Sequence, residues 1–442
     1  MVGQSLTKEL PTLAQAEAPA EERPLRIALF AERFLPKIDG VTTRLLHTIR
    51  NLRESGQEVL VIAPPGVTDF EGTPVHAVPG FKFPFYPDQI LAIPRPSIGG
   101  VLSRFQPDLI HAINPVCLGI SAFFYSSSYR VPLVVSYHTH LPKYLHYYGM
   151  GRLEWLMWWG IRTGYNRADL NLATSRAMQT ALEKQGIERV RLWPRGVDTQ
   201  VFHPRRASLE MRARLTDGHP EDKLLLYVGR LSAEKEIERC REVLAEVPGL
   251  RLALVGGGPH RGKLEEYFAR TPTYFAGYLR GVELAAAFAS ADVFFMPSRT
   301  ETLGLVLLEA MAAGCPVVAA AAGGILDIVQ DGVTGHLYDP ANPSAAIPAI
   351  RRLLEDPAHH QRMSRQARAD TEKWSWAEAT RQLERFYREV LRRDRELPRE
   401  IAERSTPGAS EEEICHMLEI SRATLRRHAR PRTGQRRPAQ LG

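Results

Sequence analysis

Two successive series of short apolar runs, each followed by a polar turn and a helix-like stretch, constrain this chain more than any other feature. In the first series the runs fall at 26–30, 58–63, 108–112, 133–137 and 170–174; in the second they fall at 224–229, 252–256, 293–296 and 317–320. Runs this short, apolar without a polar alternate face, suit strands covered on both sides. The segment 41–54 between the first two has helical spacing and is stopped by Gly56. Strand and helix in alternation predict parallel, doubly wound sheets, so the class is α/β. With 442 residues the chain exceeds one ordinary core, and two domains are expected. Arg195-Gly196-Val197-Asp198 separates the series. The expected division is a disordered lead-in at 1–24, a first Rossmann-like domain at 25–195 and a second at 196–375. A helix at 376–397 packs back toward the first domain, and a basic tail occupies 398–442.

The formal charge of +7 suggests acidic partners until it is located. Seven arginines and no acid lie between Ser421 and Gly442, which leaves the rest of the chain neutral. The four cysteines are scattered without a C-x-x-C spacing, as expected of a reducing cytoplasmic setting without a structural metal. The lead-in is rich in Ala, Glu and Pro and has no apolar core of a secretory leader. No run reaches the ~18 apolar residues of a membrane span.

Chemistry concentrates at the predicted strand ends, where open α/β sheets bind ligands. Glu301 and Glu309 stand eight positions apart around Thr302-Leu303-Gly304, one in a loop and one in the helix that follows. A carboxylate there can accept hydrogen bonds from ribose or sugar hydroxyls, and free N–H groups at the helix start can receive phosphate. Gly229-Arg230-Leu231-Ser232-Ala233-Glu234-Lys235 follows another strand and offers two cations. Fixed cations can hold the charge that grows on a departing diphosphate, as a divalent metal does elsewhere. No D-x-D triplet occurs. Residues 257–263 satisfy G-x-x-x-x-G-K, but Leu264 stands where a nucleotide-hydrolysing loop needs Ser or Thr, so that reading is rejected.

These segments resemble the retaining GT-B glycosyltransferases of the glycogen-synthase and phosphatidylinositol-mannosyltransferase type. The resemblance rests on S-x-T-E-x-L-G-L with E-A-M-A-A-G-x-P-V-V-A around the two glutamates, and on G-R-x-x-x-E-K at 229–235. It runs from Arg26 to about Leu391 and implies two Rossmann-like domains facing across a cleft. It also implies roles. Arg230 and Lys235 would meet the diphosphate, Glu301 with Thr302 and Leu303 the donor sugar side, and Glu309 the ribose. The G-x-G-P loop with Gly256 and Gly258 would lie beside the nucleotide, and the Gly40 backbone would approach the diphosphate. His138, in Ser136-Tyr137-His138-Thr139-His140, would contact the donor sugar. No metal or other cofactor is implied.

Finer detail at 30–40, 136–142, 192–198 and 277–284 looks like the sulfolipid-synthase branch, which moves sulfoquinovose from UDP-sulfoquinovose to diacylglycerol. The resemblance then implies a nucleotide sugar, a diacylglycerol acceptor in a membrane and retention of configuration. Lys37, Arg44, His140 and Lys143 are candidates for binding the sulfonate. Donors such as GDP-mannose or UDP-glucose share every motif above.

Two segments remain. Residues 143–162 crowd three tryptophans, three tyrosines and several basic residues. Trp155, Trp158 and Trp159 share a helical face flanked by Arg152 and Arg162, which suits peripheral attachment to an anionic lipid surface on the cytoplasmic side of a plasma or photosynthetic membrane. Residues 81–87 could add a contact, and an aromatic core helix is the competing reading. Residues 410–428 resemble a helix-turn-helix with a basic tail. Nucleic-acid binding is expected to be unlikely, because no third helix completes a core; a DNA-binding protein with a degenerate transferase body is the alternative of another class.

Overall fold

A computed structural model of the chain describes residues 23–37, 39–83, 86–140, 142, 150–405 and 409–429. Most of the lead-in, Lys143, the aromatic residues 144–148, part of 81–87 and the last arginines lie outside the described residues.

The first series of runs builds one sheet from β1 (Arg26–Ala31), β2 (Glu58–Ala63), β3 (Asp69–Phe70), β4 (Thr73–Ala77), β7 (Leu109–Ile113), β8 (Leu133–Tyr137), β9 (Leu170–Ala173) and β10 (Val190–Leu192). Strands β5 (Gly80–Phe83) and β6 (Tyr86–Ala92) form a separate hairpin. The order is β10-β9-β8-β7-β1-β2-β4-β3, parallel except at the β3–β4 edge. Strand β1 shows why its run is apolar throughout. Ile27, Leu29 and Ala31 enter one core, whereas Ala28 and Phe30 enter another on the opposite face.

The second sheet comprises β11 (Lys223–Val228), β12 (Leu250–Val255), β13 (Thr273–Gly277), β14 (Val293–Met296), β15 (Val317–Ala320) and β16 (His336–Tyr338). Its order is β13-β12-β11-β14-β15-β16, all parallel. Strand order reverses between β1 and β7 in the first sheet and between β11 and β14 in the second. Each reversal leaves a crevice at the carboxyl ends of the strands. The fold is α/β.

The chain crosses between the sheets twice, at 195–197 and again at 374–376. Val197 N–H donates to Trp374 O at 2.9 Å. A Cβ on Gly196 would lie 2.5 Å from Trp376 N, so only glycine lets the two passages meet. The Trp376–Arg404 helix then lays Leu383, Phe386 and Tyr387 into the core beside Ile27 and Leu29. Tyr387 Oη is 2.6 Å from His111 Nδ1.

The tail folds differently from its sequence expectation. Its helices Glu411–Leu418 and Arg422–Ala429 pack Leu418, Ile420 and Leu425 around Leu397, so the long helix supplies the missing third element. Arg427 pairs with Asp169 at 2.7 Å and Asp394 at 2.5 Å, while Arg422 and Arg426 pair with Glu412 and Glu411. These arginines hold the appendage to itself and to the body.

The tryptophan face also needs correction. In the Glu154–Tyr165 helix, Trp155 and Trp159 are 70% and 55% exposed, but Trp158 is buried. Its ring packs against Tyr137 and His140, and its Nε1 donates to Glu154. Leu153 and Leu156, beside these tryptophans in the sequence, are also exposed, as are Ile120 and Phe124 on the Leu118–Tyr129 helix. No helix among the described residues is long and apolar enough to cross a membrane.

Candidate active site in the interdomain cleft

The carboxyl end of β11 turns at Gly229-Arg230, and a short helical turn at Ala233–Lys235 directs Lys235 toward the loop after β14. Lys235 Nζ meets Glu301 Oε2 at 2.8 Å. Glu301 Oε1 accepts the Gly304 N–H at 3.0 Å, and the Leu303 N–H also serves the carboxylate. Burial pushes the Glu301 carboxyl up, but Lys235 and these N–H donors outweigh it and hold it below the usual range. Two donors at the helix start, expected to be free for phosphate, are thus taken by Glu301. Gly304 adopts φ +64° to begin the Leu305–Ala312 helix, which presents Glu309 about one turn in. Glu309 has no hydrogen-bond or ionic partner among the described residues, and burial alone pushes its carboxyl up to about 7.

Arg230 is pushed down to about 10, by burial first and then by the Arg33 guanidinium of the first domain. Asp39 also acts on it, so the loop after β1 faces the loop after β11 across the cleft. The glycine-rich loop supports that position from behind. A Cβ on Gly256 would fall 2.0 Å from Gly229 O, and one on Gly258 would fall 2.3 Å from Leu231 O. These glycines let the loop after β12 lie directly on the backbone that carries Arg230.

In the first domain, Asp39 caps the Gly40–Glu54 helix by accepting the Thr42 N–H at 2.9 Å through Oδ1. Its Oδ2 accepts from Arg33 Nη1 at 3.1 Å. A Cβ on Gly40 would meet only Leu303 and Leu305 side chains, at 3.8 and 3.9 Å. These are ordinary van der Waals distances, so the described residues impose no steric need for glycine at this position.

His138 follows β8 and is 2% exposed. Its Nε2 is 2.8 Å from Ser136 Oγ, its Nδ1 has no partner among the described residues, and its ring stands edge-on to Trp193. Burial, then Arg44 and His111, hold it neutral. Asn114 Oδ1 accepts the N–H groups of His138 and Thr139 and so fixes the loop. Asn114 sits at φ +48°, a conformation asparagine tolerates.

The two halves are joined directly. Thr302 Oγ1 donates to His138 O at 2.6 Å, and Thr174 Oγ1 donates to Thr302 O at 3.3 Å. Leu303 is buried with Leu305 and Trp376. Arg195 donates to Leu303 O, Gly324 O and Thr174 O, and pairs with Asp327 at 3.3 Å. Asn114 and Asp327 were not singled out from the sequence and Arg195 was read only as part of the junction, because their partners are distant in the chain.

The sulfonate candidates divide. Arg44 is buried over the Trp193 ring and donates to Trp193 O and Pro194 O, so it braces the crossing point. His140 packs against Tyr137 and Trp158. Lys37 is half-buried in the β1 loop, and Lys143 lies outside the described residues. One described group, His219, Glu221 and Asp222, has metal-ligand spacing. It precedes β11, at the end opposite Arg230.

Chemically, the cleft sets paired cations beside one engaged carboxylate and one unengaged carboxylate. It can hold an anionic leaving group and a polyhydroxylated ligand together.

Two family profiles match the chain. One described as glycosyltransferase family 4 matches residues 38–201, and one described as glycosyl transferases group 1 matches residues 216–370. The chain is 41% identical to the sulfoquinovosyl transferase SQD2 of Arabidopsis thaliana, over 82% of this chain and 73% of that one. It is 38% identical to a GDP-mannose-dependent alpha-mannosyltransferase of Mycolicibacterium smegmatis, over 84% and 98%. Among solved structures, Anabaena HepE in complex with UDP-glucose superposes with a TM-score of 0.69 at 21% identity, covering 83% of this chain and all of that one.

Proposed function

The chain belongs to the GT4-type glycosyltransferases of GT-B fold, and from that premise we propose that it moves sulfoquinovose from UDP-sulfoquinovose to diacylglycerol with retention of configuration. It is a hexosyltransferase, and its donor is a nucleotide sugar. The observation that carries the catalytic reading is the Lys235–Glu301 pair, with Arg230 and the unpartnered Glu309 at the same strand ends. The sulfolipid donor and acceptor are supported by the 41% identity to SQD2.

In this reading the first domain ends near Arg195, and the second holds the nucleotide. Glu309 accepts from the ribose hydroxyls. Arg230 and Lys235 stabilise the diphosphate as the glycosidic bond breaks. Glu301 orients the donor sugar, and its Lys235 partner couples sugar and phosphate. The Gly40 backbone approaches the diphosphate from the other side. No carboxylate is assigned as a covalent nucleophile. The acceptor hydroxyl attacks the face from which the diphosphate leaves, and the leaving phosphate takes its proton. His138, neutral and pinned at both backbone atoms, shapes the sugar end. With two cations serving the leaving group, turnover is expected to persist in EDTA.

The exposed Trp155 and Trp159, with the exposed Leu156 between them, support peripheral docking on an anionic lipid surface; in this reading that surface is the cytoplasmic face of a plasma or photosynthetic membrane. A second reading, transfer of mannose from GDP-mannose, is favoured by the 38% identity over nearly all of the mycobacterial relative. Incubating diacylglycerol vesicles with each nucleotide sugar and separating the lipid products by thin-layer chromatography distinguishes the two. The proposal expects a sulfonated glycolipid; a mannolipid alone would replace it with the second reading.

A further inference from the structure

From the cleft geometry we infer that Arg33 is the residue that reads the sulfonate of the donor, held in position by Asp39. The inference rests on the sulfosugar donor proposed above.

A sulfonate is ionised at every working pH. Moving it into a partly dehydrated cleft is unfavourable unless a fixed cation with N–H donors meets it. Most cations around the cleft are otherwise engaged. Lys235 is bound to Glu301, Arg195 to three carbonyls and Asp327, and Arg44 to two carbonyls and the Trp193 ring. Arg230 belongs to the second domain and to the diphosphate in the proposed mechanism.

Arg33 differs in each respect. It lies just past the carboxyl end of β1, at the switch point of the first sheet. Its side chain is 23% exposed, and Asp39 is its one hydrogen-bond partner among the described residues, through Nη1 alone. Nε and Nη2 remain as a planar fork suited to two oxygens of a tetrahedral anion. Asp39 is itself anchored as a helix cap, so the pair sets the guanidinium's direction rather than cancelling a mobile charge.

Arg33 is also the strongest charge acting on Arg230. Two guanidiniums that repel across a cleft form an arrangement that an anion between them relieves. The diphosphate accounts for the cations of the second domain. The additional negative charge of a sulfosugar accounts for one more, contributed from the first.

Calorimetric titration of UDP, UDP-glucose and UDP-sulfoquinovose against the wild type, Arg33→Gln and Arg33→Lys tests this. The wild type should bind UDP-sulfoquinovose more tightly than UDP-glucose. Arg33→Gln should lose about 10- to 100-fold for UDP-sulfoquinovose, the range of a charge-assisted hydrogen bond, while its UDP affinity stays at the wild-type level. Arg33→Lys should fall between, since a point charge cannot replace the fork. Unchanged UDP affinity also certifies that the variants fold.

Arg33→Gln that keeps the wild-type preference overturns the inference and leaves the donor assignment standing. Equal losses for UDP and UDP-sulfoquinovose also overturn it, by putting Arg33 on the diphosphate. A wild type without preference for the sulfosugar overturns the donor assignment and the inference together.

Discussion

Lys235 Nζ lies 2.8 Å from Glu301 Oε2, and that contact ties the loop after β11 to the loop after β14 where the strand order of the second sheet reverses. In the proposed mechanism this contact would fix the charge for the leaving group and the carboxylate for the sugar by one another before any ligand arrives. Such preorganisation is what stabilisation of a developing charge requires.

Lys235→Ala and Arg230→Ala should each lower turnover by about 10²-fold or more. Their combination should cost less than the product of the two, because the residues serve one leaving group. Steady-state kinetics with saturating donor measure both effects. Lys235→Ala should also move the acid limb of the stability profile. A carboxyl held below its usual range stabilises the fold above the ordinary carboxyl pKa and loses that contribution as pH falls through the folded value. Without Lys235 the folded-state pKa of Glu301 rises toward or past the unfolded value, so this contribution shrinks and the acid limb becomes shallower.

Glu309 behaves in the opposite sense. Its carboxyl is raised from 4.5 to about 7, so the native state holds a proton that the unfolded chain releases. Its contribution to stability therefore falls as pH rises across that window. Glu309→Gln should be more stable than the wild type at pH 8, by roughly 1–3 kcal/mol, with the difference vanishing near pH 4. The same change should weaken UDP binding and flatten its dependence on pH between 6 and 8. Thermal melts and UDP titrations at several pH values check both. Glu301→Gln should retain UDP affinity better and slow transfer more.

Much of this arrangement was readable in the chain. The apolar runs located the central strands because both faces of each sheet are covered, as Ile27 and Ala28 show by entering different cores. Glycine spacing and the two glutamates marked the strand ends. Edge strands escaped detection: β13 is only half-buried along its length, so its sequence has no continuous apolar signature. Long-range hydrogen bonding was equally hidden. Nothing in the local sequence says that Arg195 will bind the backbone of Leu303 and Gly324, or that Arg44 will lie on Trp193. Arg33 was passed over because its neighbour Arg230 belongs to the other domain and comes near only after both domains fold. Trp158 misled for a related reason: helical spacing gives a face, but the face's width is decided by what packs beneath it.

The tail should matter for stability rather than for transfer. Arg427→Ala leaves Asp169 and Asp394 without their shared cation in a site where Arg427 is 6% exposed, at a cost of about 2–4 kcal/mol. Removing residues 406–442 should lower the melting temperature yet leave glycolipid synthesis intact. Thermal melts and product assays on the truncated protein decide this; a folded truncation that transfers nothing would make the tail part of the active assembly.

Membrane docking should follow exposure. Trp155→Ser with Trp159→Ser should reduce binding to anionic vesicles in flotation assays while UDP binding persists, and high salt should weaken the wild type likewise. Trp158→Ser should instead destabilise the fold by about 3 kcal/mol or more, as expected for truncating a buried aromatic ring.

The most direct measurement is kcat/KM for the purified enzyme on diacylglycerol vesicles with UDP-sulfoquinovose, UDP-glucose and GDP-mannose as separate donors, with each lipid product identified by mass. The account predicts that UDP-sulfoquinovose is preferred by about 10-fold or more, giving an α-linked sulfoquinovosyl diacylglycerol. Preference for GDP-mannose or UDP-glucose, with no sulfonated product at equal enzyme, would contradict it.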